Sequence, residues 1–440
     1  MKRFVELVLA SCFLVGPMPI SAQTSVQPPG GPTIKAEVKQ VLVPVVVTDK
    51  RGRYVVDLTA NDFSVYEDGV LQKIVAFSHA PVSVTSAGGE AGATAAPTRN
   101  TQNAASNASP VRTYLICIDI LNSRFENFAR VRKALKEFFS HEEAGDSQYA
   151  LFALGLKLHV LVDSTRDPFT ILNALASKEL LKTILDSEAA NLAHDTQAFA
   201  ELVGRWCGGC QCNTQQMDMA NVGCPGYKAQ VRSALLSFSE RTAILDGNFL
   251  ANLTGLVSVM ASMPTKRTAL FISDGFNRFA GEEFTAILRA YDVNDLSLRF
   301  NPRDLQPEID KLLKLAVRNN IRFYTLDSRG LYTTSAIPGA GEDASTRGVT
   351  PQVRHTEVAV AFQNADALAE LAKQTGGAFF ENNNDLLKGM RRAFADGREE
   401  YVLAYIPSNL AYDGRFRRVT VKVKDPKANV AAKVGYWASP

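Results

Sequence analysis

Thr113 to Ser123 reads TYLICIDILNS, a hydrophobic run that ends on a carboxylate at Asp119 and offers a hydroxyl four residues later at Ser123. Thr268 to Gly275, TALFISDG, repeats the pattern and delivers Asp274. A short apolar run without polar alternation is what a strand buried on both faces requires. Two such strands, each handing an aspartate to its C-terminal end, predict an open α/β sheet with acidic oxygens gathered at its crevice, where such sheets hold ligands. Rich in oxygen and lacking a glycine cradle, that layout suits a hard cation better than a nucleotide phosphate.

Around these strands the pattern alternates. Phe128, Val131, Leu135 and Phe138 share one helical face, and Tyr149 to Leu154 and Leu158 to Val162 form a strand pair across the turn at Gly155. Phe249, Leu253, Leu256 and Met260 give another apolar face before the Asp274 strand. Ile309 to Val317 reads as helix, Ile321 to Leu326 as strand, and Leu368 to Leu371 and Leu386 to Phe394 as helices flanking Gly376-Gly377, a helix C-cap feeding a strand. Asp327-Ser328-Arg329-Gly330 closes a strand with a turn on the same rim as Asp119 and Asp274. Alternating strand and helix predicts a doubly wound, mostly parallel sheet covered on both faces.

This order of elements resembles a von Willebrand factor A domain, over roughly the last three-quarters of the chain. The family carries D-x-S-x-S on one strand, a threonine from a later segment and a second aspartate ending a middle strand. The matching pieces are Asp119, Ser123 and Ser273-Asp274-Gly275, with Thr242 ahead of a helical run as the threonine and Thr254, inside one, as the other choice. The resemblance implies metal ligands at Asp119, Ser123, Thr242 and Asp274 for Mg²⁺ or Mn²⁺, with a carboxylate from a protein partner completing the shell. Leu121 stands where the middle serine belongs, which removes a ligand and leaves the metal weak or absent. The plainer reading is that both aspartates cap strand ends and turns.

The N-terminus, MKRFVELVLASCFLVGPMPISAQ, has a basic start, an apolar segment and a small-residue exit at Ser21-Ala22, the grammar of a secretory signal over residues 1–22. Leu9-Ala10-Ser11-Cys12 also fits a lipobox, though the apolar run before Cys12 is short and broken by Glu6. No later run approaches 18 consecutive apolar residues, so no transmembrane helix is expected. Cys207, Cys210, Cys212 and Cys224 crowd an insert at 183–227, expected as a stapled surface excursion. In an exported chain they read as two disulfides of open connectivity in preference to a zinc site. Cys117, inside the first strand, reads as a buried inert thiol.

Residues 34–80 have β character: VPVVVTDKRGRYVVDLTANDFSVYEDG carries a β-branched run, a turn at Asp49 to Gly52, a helical bend at Thr59 to Asp62 and a turn at Glu67-Asp68-Gly69. This looks like a small N-terminal β-sandwich-like domain, and its pairing with an A-type domain resembles a bacterial family of von Willebrand A-related exported proteins. Residues 81–110, rich in Ala, Ser, Thr, Gly and Asn, read as a flexible linker. The A-like domain then occupies 111–399, with a mobile loop expected at Thr333 to His355. Within 400–440, Tyr401 to Ile406, Phe416 to Val423 and Val430 to Trp437 read as strands of a C-terminal antiparallel annex packing on the preceding domains.

A net charge of +3 without a long basic run gives no reason to expect nucleic acid. There is no G-x-S-x-G, H-E-x-x-H or P-loop, and His194-Asp195 alone reads as a solvated pair. The expectation is an exported, non-enzymatic protein-binding module of adhesion type with a degenerate metal-ion-dependent site, periplasmic, surface-exposed or secreted. The alternative is a structural cell-envelope module whose metal site is vestigial and holds no metal, and Leu121 favours it.

Overall fold

The structure, a computed structural model, describes residues 40–79, 112–141, 147–185, 189–210, 212, 224–263, 266–293, 295–330, 364–381 and 385–438. The expected signal at 1–22, the linker at 81–110 and the loop at Thr333 to His355 lie outside the described residues.

A six-stranded sheet forms the centre. Its strands are β5 (Arg112–Asp119), β6 (Ser147–Leu154), β7 (Leu158–Thr165), β8 (Lys266–Ser273), β11 (Arg322–Asp327) and β12 (Phe379–Phe380), in the spatial order β12-β11-β8-β5-β6-β7. All neighbours are parallel except the β6–β7 pair, which turns back at Gly155. Every residue of β5 is buried, as its unbroken apolar run requires. Its side chains alternate: Leu115, Cys117 and, just past the strand, Leu121 enter one core, while Tyr114, Ile116 and Ile118 enter the other. Cys117 is a buried free thiol.

Helices cover both faces. α1 (Phe125–Ser140), α2 (Pro168–Ala176), α3 (Lys178–Leu185) and α9 (Leu386–Arg398) contribute to the core that holds Ile116. α5 (Cys224–Ser262), α7 (Gln306–Arg318) and the helix α8 within 364–375 close the other. Gly376 ends α8 at φ +82, where a Cβ would lie 2.5 Å from the Lys433 backbone nitrogen, so the expected C-cap is also a packing contact.

The insert departs from its expected form. Among its described residues it is helical and has a core of its own: α4 (Ala189–Cys210) packs with the first half of α5 and with α6 (Glu282–Ala290) around Phe199, Val203, Trp206, Phe284 and Ile287. Disulfides Cys207–Cys212 and Cys210–Cys224 staple the corner between α4 and α5. The 39-residue α5 therefore serves two cores, its C-terminal half on the sheet and its N-terminal half in this annex. By length and composition α5 could cross a membrane; these cores bury Val231, Leu235, Phe249, Leu253, Leu256 and Met260 of it, while Leu236, Ile244 and Val259 are exposed.

The N-terminal unit at 34–80 and the C-terminal strands at 400–440, expected to pack on it as an annex, share two antiparallel four-stranded sheets. β1 (Val41–Thr48) and β4 (Ile74–His79) flank β13 (Tyr401–Tyr405), with β15 (Asn429–Ala432) beyond β1. β2 (Phe63–Glu67) lies between β3 (Val70–Gln72) and β14 (Phe416–Val423), with β16 (Gly435–Trp437) outside. The strand expected at Val430 to Trp437 is thus broken at Lys433-Val434, and its halves join different sheets. Each segment gives only two strands to each sheet, and two strands alone are marginal, so closure needs both. The shared core includes Val45, Val47, Phe63, Val65, Tyr401, Leu403 and Tyr405. The helical bend at Thr59 is present, with Asp62 accepting from the Thr59 backbone N–H at 2.9 Å.

Candidate functional site

Chain connections leave β5 and β8 in opposite directions, β5 toward β6 and β8 toward β11, so a crevice opens between their C-terminal ends. Asp119 and Asp274 stand there. Asp119 closes a tight turn: its Oδ1 accepts from the backbone N–H groups of Leu121 and Asn122, both at 2.9 Å. Its Oδ2 accepts from the Asn122 side chain at 3.0 Å and from the Ser273 hydroxyl at 2.6 Å. Asp274 closes the facing loop, with Oδ2 accepting from Arg124 N at 3.0 Å and Asn127 Nδ2 at 2.7 Å, and Oδ1 from the Ser328 hydroxyl. The Ser123 hydroxyl accepts from Asp274 N at 3.1 Å. Asp274 therefore holds the backbone at the start of α1, where a negative charge also meets the positive end of the helix. Gly275 at φ +106 lets this loop approach Asn364, whose backbone a Cβ would meet at 2.6 Å.

The structure brings three of the four expected ligands, Asp119, Ser123 and Asp274, to one corner. Thr242 is not part of that corner's hydrogen bonding: it sits on α5, buried, and its hydroxyl bonds the carboxylate of Glu283. Leu121, at 1% exposure, packs in the core beneath and offers no oxygen. Burial pushes the Asp119 carboxyl up to about 6, partly offset by its donors, and raises Asp274 as well. Every oxygen of both carboxylates already accepts from at least one N–H or O–H donor. A cation at this corner would have to displace those donors, since it needs lone pairs and repels N–H groups. As folded, the corner does not fit a divalent cation.

Sequence reasoning passed over Asn122, Asn127 and Ser273 as donors, because an amide or hydroxyl one turn away carries no spacing signature of its own. Ser328 had one, in the Asp327 turn that closes on the same rim; there Asp327 holds Arg329 by an ion pair of 2.6 Å. A second polar group behind the rim was also missed. Ser239, Thr242 and Asp246 lie on one face of α5, each at 2% exposure or less. Asp246 Oδ2 accepts from Asn277 at 2.9 Å, while its Oδ1, Glu283 Oε2 and Ser239 Oγ are buried without a hydrogen-bond partner. Burial pushes Asp246 up to about 8 and Glu283 up to about 7, and each also feels a neighbouring carboxylate, Glu283 for Asp246 and Glu282 for Glu283. The sequence signal was polar residues recurring at helical spacing in an apolar helix. His194-Asp195, expected as a solvated pair, departs from that reading at Asp195, which is buried and bonds Arg241 at 3.0 Å.

The molecule is thus a mixed α/β protein with a switch-point sheet and an antiparallel β-sandwich built from both ends of the described chain. No model of a known protein family matches it, and no curated protein does. Among solved structures it is similar to the conserved hypothetical protein BatB from Bacteroides thetaiotaomicron, at 10% identity over 65% of this chain and 98% of that one, with a TM-score of 0.30. It is similar also to an aerotolerance-related membrane protein from Bacteroides fragilis, at 12% identity over 64% of this chain and 98% of that one, with a TM-score of 0.31. Likenesses of this size carry no functional argument.

Proposed function

We propose that this protein is an exported, non-enzymatic module of the cell envelope, related in design to von Willebrand A domains, whose switch-point rim is a hydrogen-bonded closure that works without a cation. The observation that carries the reading is that every oxygen of Asp119 and Asp274 accepts from a donor of the chain itself. Such a corner fixes the β5–α1 and β8 loops against each other, a structural task. Contacts with a protein partner then fall on surfaces other than the rim. Export is supported by the two disulfides, which persist in oxidising compartments.

Thermal unfolding in EDTA against millimolar Mg²⁺ or Mn²⁺ tests the rim. A ligand held by the folded state alone raises stability by mass action. The reading expects equal midpoints in all three solutions. A rise with either cation that disappears in Asp119→Asn would overturn it and restore the metal-dependent binding module.

A further inference from the structure

At the opposite end of the central sheet, below the N-terminal ends of its strands, lies a cavity of about 260 Å³. Its floor is a row of arginines set by strand register. Arg112 opens β5, Arg267 is the second residue of the neighbouring β8, and Arg322 opens β11 on the far side. The facing wall belongs to the β-sandwich, where Leu42, Pro44 and Val402 are apolar. Lys433 closes the space from the break between β15 and β16.

Among the described residues that line this cavity, cations outnumber carboxylates: Arg112, Arg267, Arg322 and Lys433 stand with Glu400, which pairs with Arg322 at 3.0 Å. Arg267 donates to the Met263 and Asn319 carbonyls. Lys433, at 6% exposure, donates to the neutral Asn320 side-chain oxygen at 2.8 Å, and among the described residues it has no carboxylate partner. A buried ammonium is costly without an opposing charge, and residues of this class are almost never buried unless paired. Burial pulls Lys433 down to about 7, with no carboxylate holding it up. An incoming anion supplies the missing charge and draws a proton onto Lys433. Guanidinium forks suit planar or tetrahedral oxyanions, and the volume lies just below the range of drug-sized sites, so it suits a small ligand.

We infer that this cavity is a binding site for a small oxyanion, a phosphate or a carboxylate, clamped between the central sheet and the β-sandwich by Arg112, Arg267, Arg322 and Lys433. Such a ligand ties the two parts of the fold together at their junction. The inference does not depend on the rim's role: its test uses anions and different variants, so either idea can fail alone.

The test is thermal unfolding and titration calorimetry of the purified protein with inorganic phosphate, with malonate, and with sodium chloride at matched ionic strength. Phosphate or malonate is expected to raise the midpoint by about 3 °C at roughly a hundredfold excess over its Kd, with chloride giving no such rise. Which of the two binds more tightly identifies the oxyanion. Lys433→Met keeps an unbranched side chain of similar length, and Arg267→Gln removes charge at a less buried position. Each is expected to weaken binding at least tenfold while the circular dichroism spectrum stays that of the parent. Equal effects of all three salts would overturn the inference, as would undiminished binding in both variants.

Discussion

Asp246 shows how a single buried carboxylate sets a pH dependence. Its carboxyl is raised to about 8 by burial, far above the ordinary carboxylate range, and Glu283 is raised to about 7 beside it. Between about pH 4 and 8 the folded protein keeps a proton that the unfolded chain has released. The contribution is therefore full at the acid end and is lost as pH rises through 8, at no more than about 1.4 kcal/mol per pH unit for each group. Asp246→Asn, which cannot ionise, is expected to decline less steeply and to exceed the parent in stability at about pH 8.5. Urea unfolding midpoints at about pH 5, 7 and 8.5 check this. Parallel declines in the two proteins would show that Asp246 is already charged in the fold. The residue scale is also where legibility stopped: Asp119, Ser123 and Asp274 were readable because a strand end announces them, whereas the hydroxyl of Thr242 turns to Glu283, a partner 41 residues away that no local pattern marks.

At the scale of elements, the annex of α4, α5 and α6 depends on its staples. Cys210–Cys224 closes a loop of sequence separation 14, for which chain entropy suggests about 3 kcal/mol. Replacing both with alanine is expected to loosen the annex and leave the central sheet in place, because β5 and β8 draw their cores from other residues. Hydrogen exchange checks this: protection should fall across 199–210 and 224–235 and persist in β5 and β8. Uniform loss over both would show that annex and sheet unfold as one unit. The cysteine cluster was visible in the sequence, but the helices around it were not. Half of α5 packs outside the sheet, so its apolar residues follow two faces in succession and blur the period.

Across the whole molecule, one buried ion pair joins the two ends of the described chain. Glu67 on β2 meets Arg417 on β14 at 3.1 Å, and it also accepts from the Tyr405 and Tyr436 hydroxyls at 2.7 and 2.9 Å. Glu67 and Arg417 are each 3% exposed. Glu67→Ala leaves a buried guanidinium without its counter-charge and is expected to cost about 3–5 kcal/mol. Adding Arg417→Met removes the stranded charge and should recover a large part of that loss. Urea unfolding of the parent, the single variant and the double variant measures both steps. A double variant no more stable than Glu67→Ala would mean that the loss came from packing or the tyrosine bonds and not from the stranded charge.

What the sequence by itself determined was the repeating unit: buried strands at β5, β8 and β11, amphipathic helices between them, and carboxylates at the strand ends. Each follows from a local period, because a strand covered on both faces must be apolar throughout and a helix on a sheet must be apolar every third or fourth residue. Only the tertiary structure decided which strands are neighbours. The β-branched run that marks Val43 and Val45 as strand does not fix their register against Tyr401 to Tyr405, nor say that Lys433 will break a β run so that its halves enter different sheets. It decided likewise that the rim carboxylates would be met by Asn127 and Ser328, and that three arginines near the N-terminal ends of their strands would line one cavity. These are contacts between residues far apart in the chain, and their energies exist only once the chain has closed upon itself.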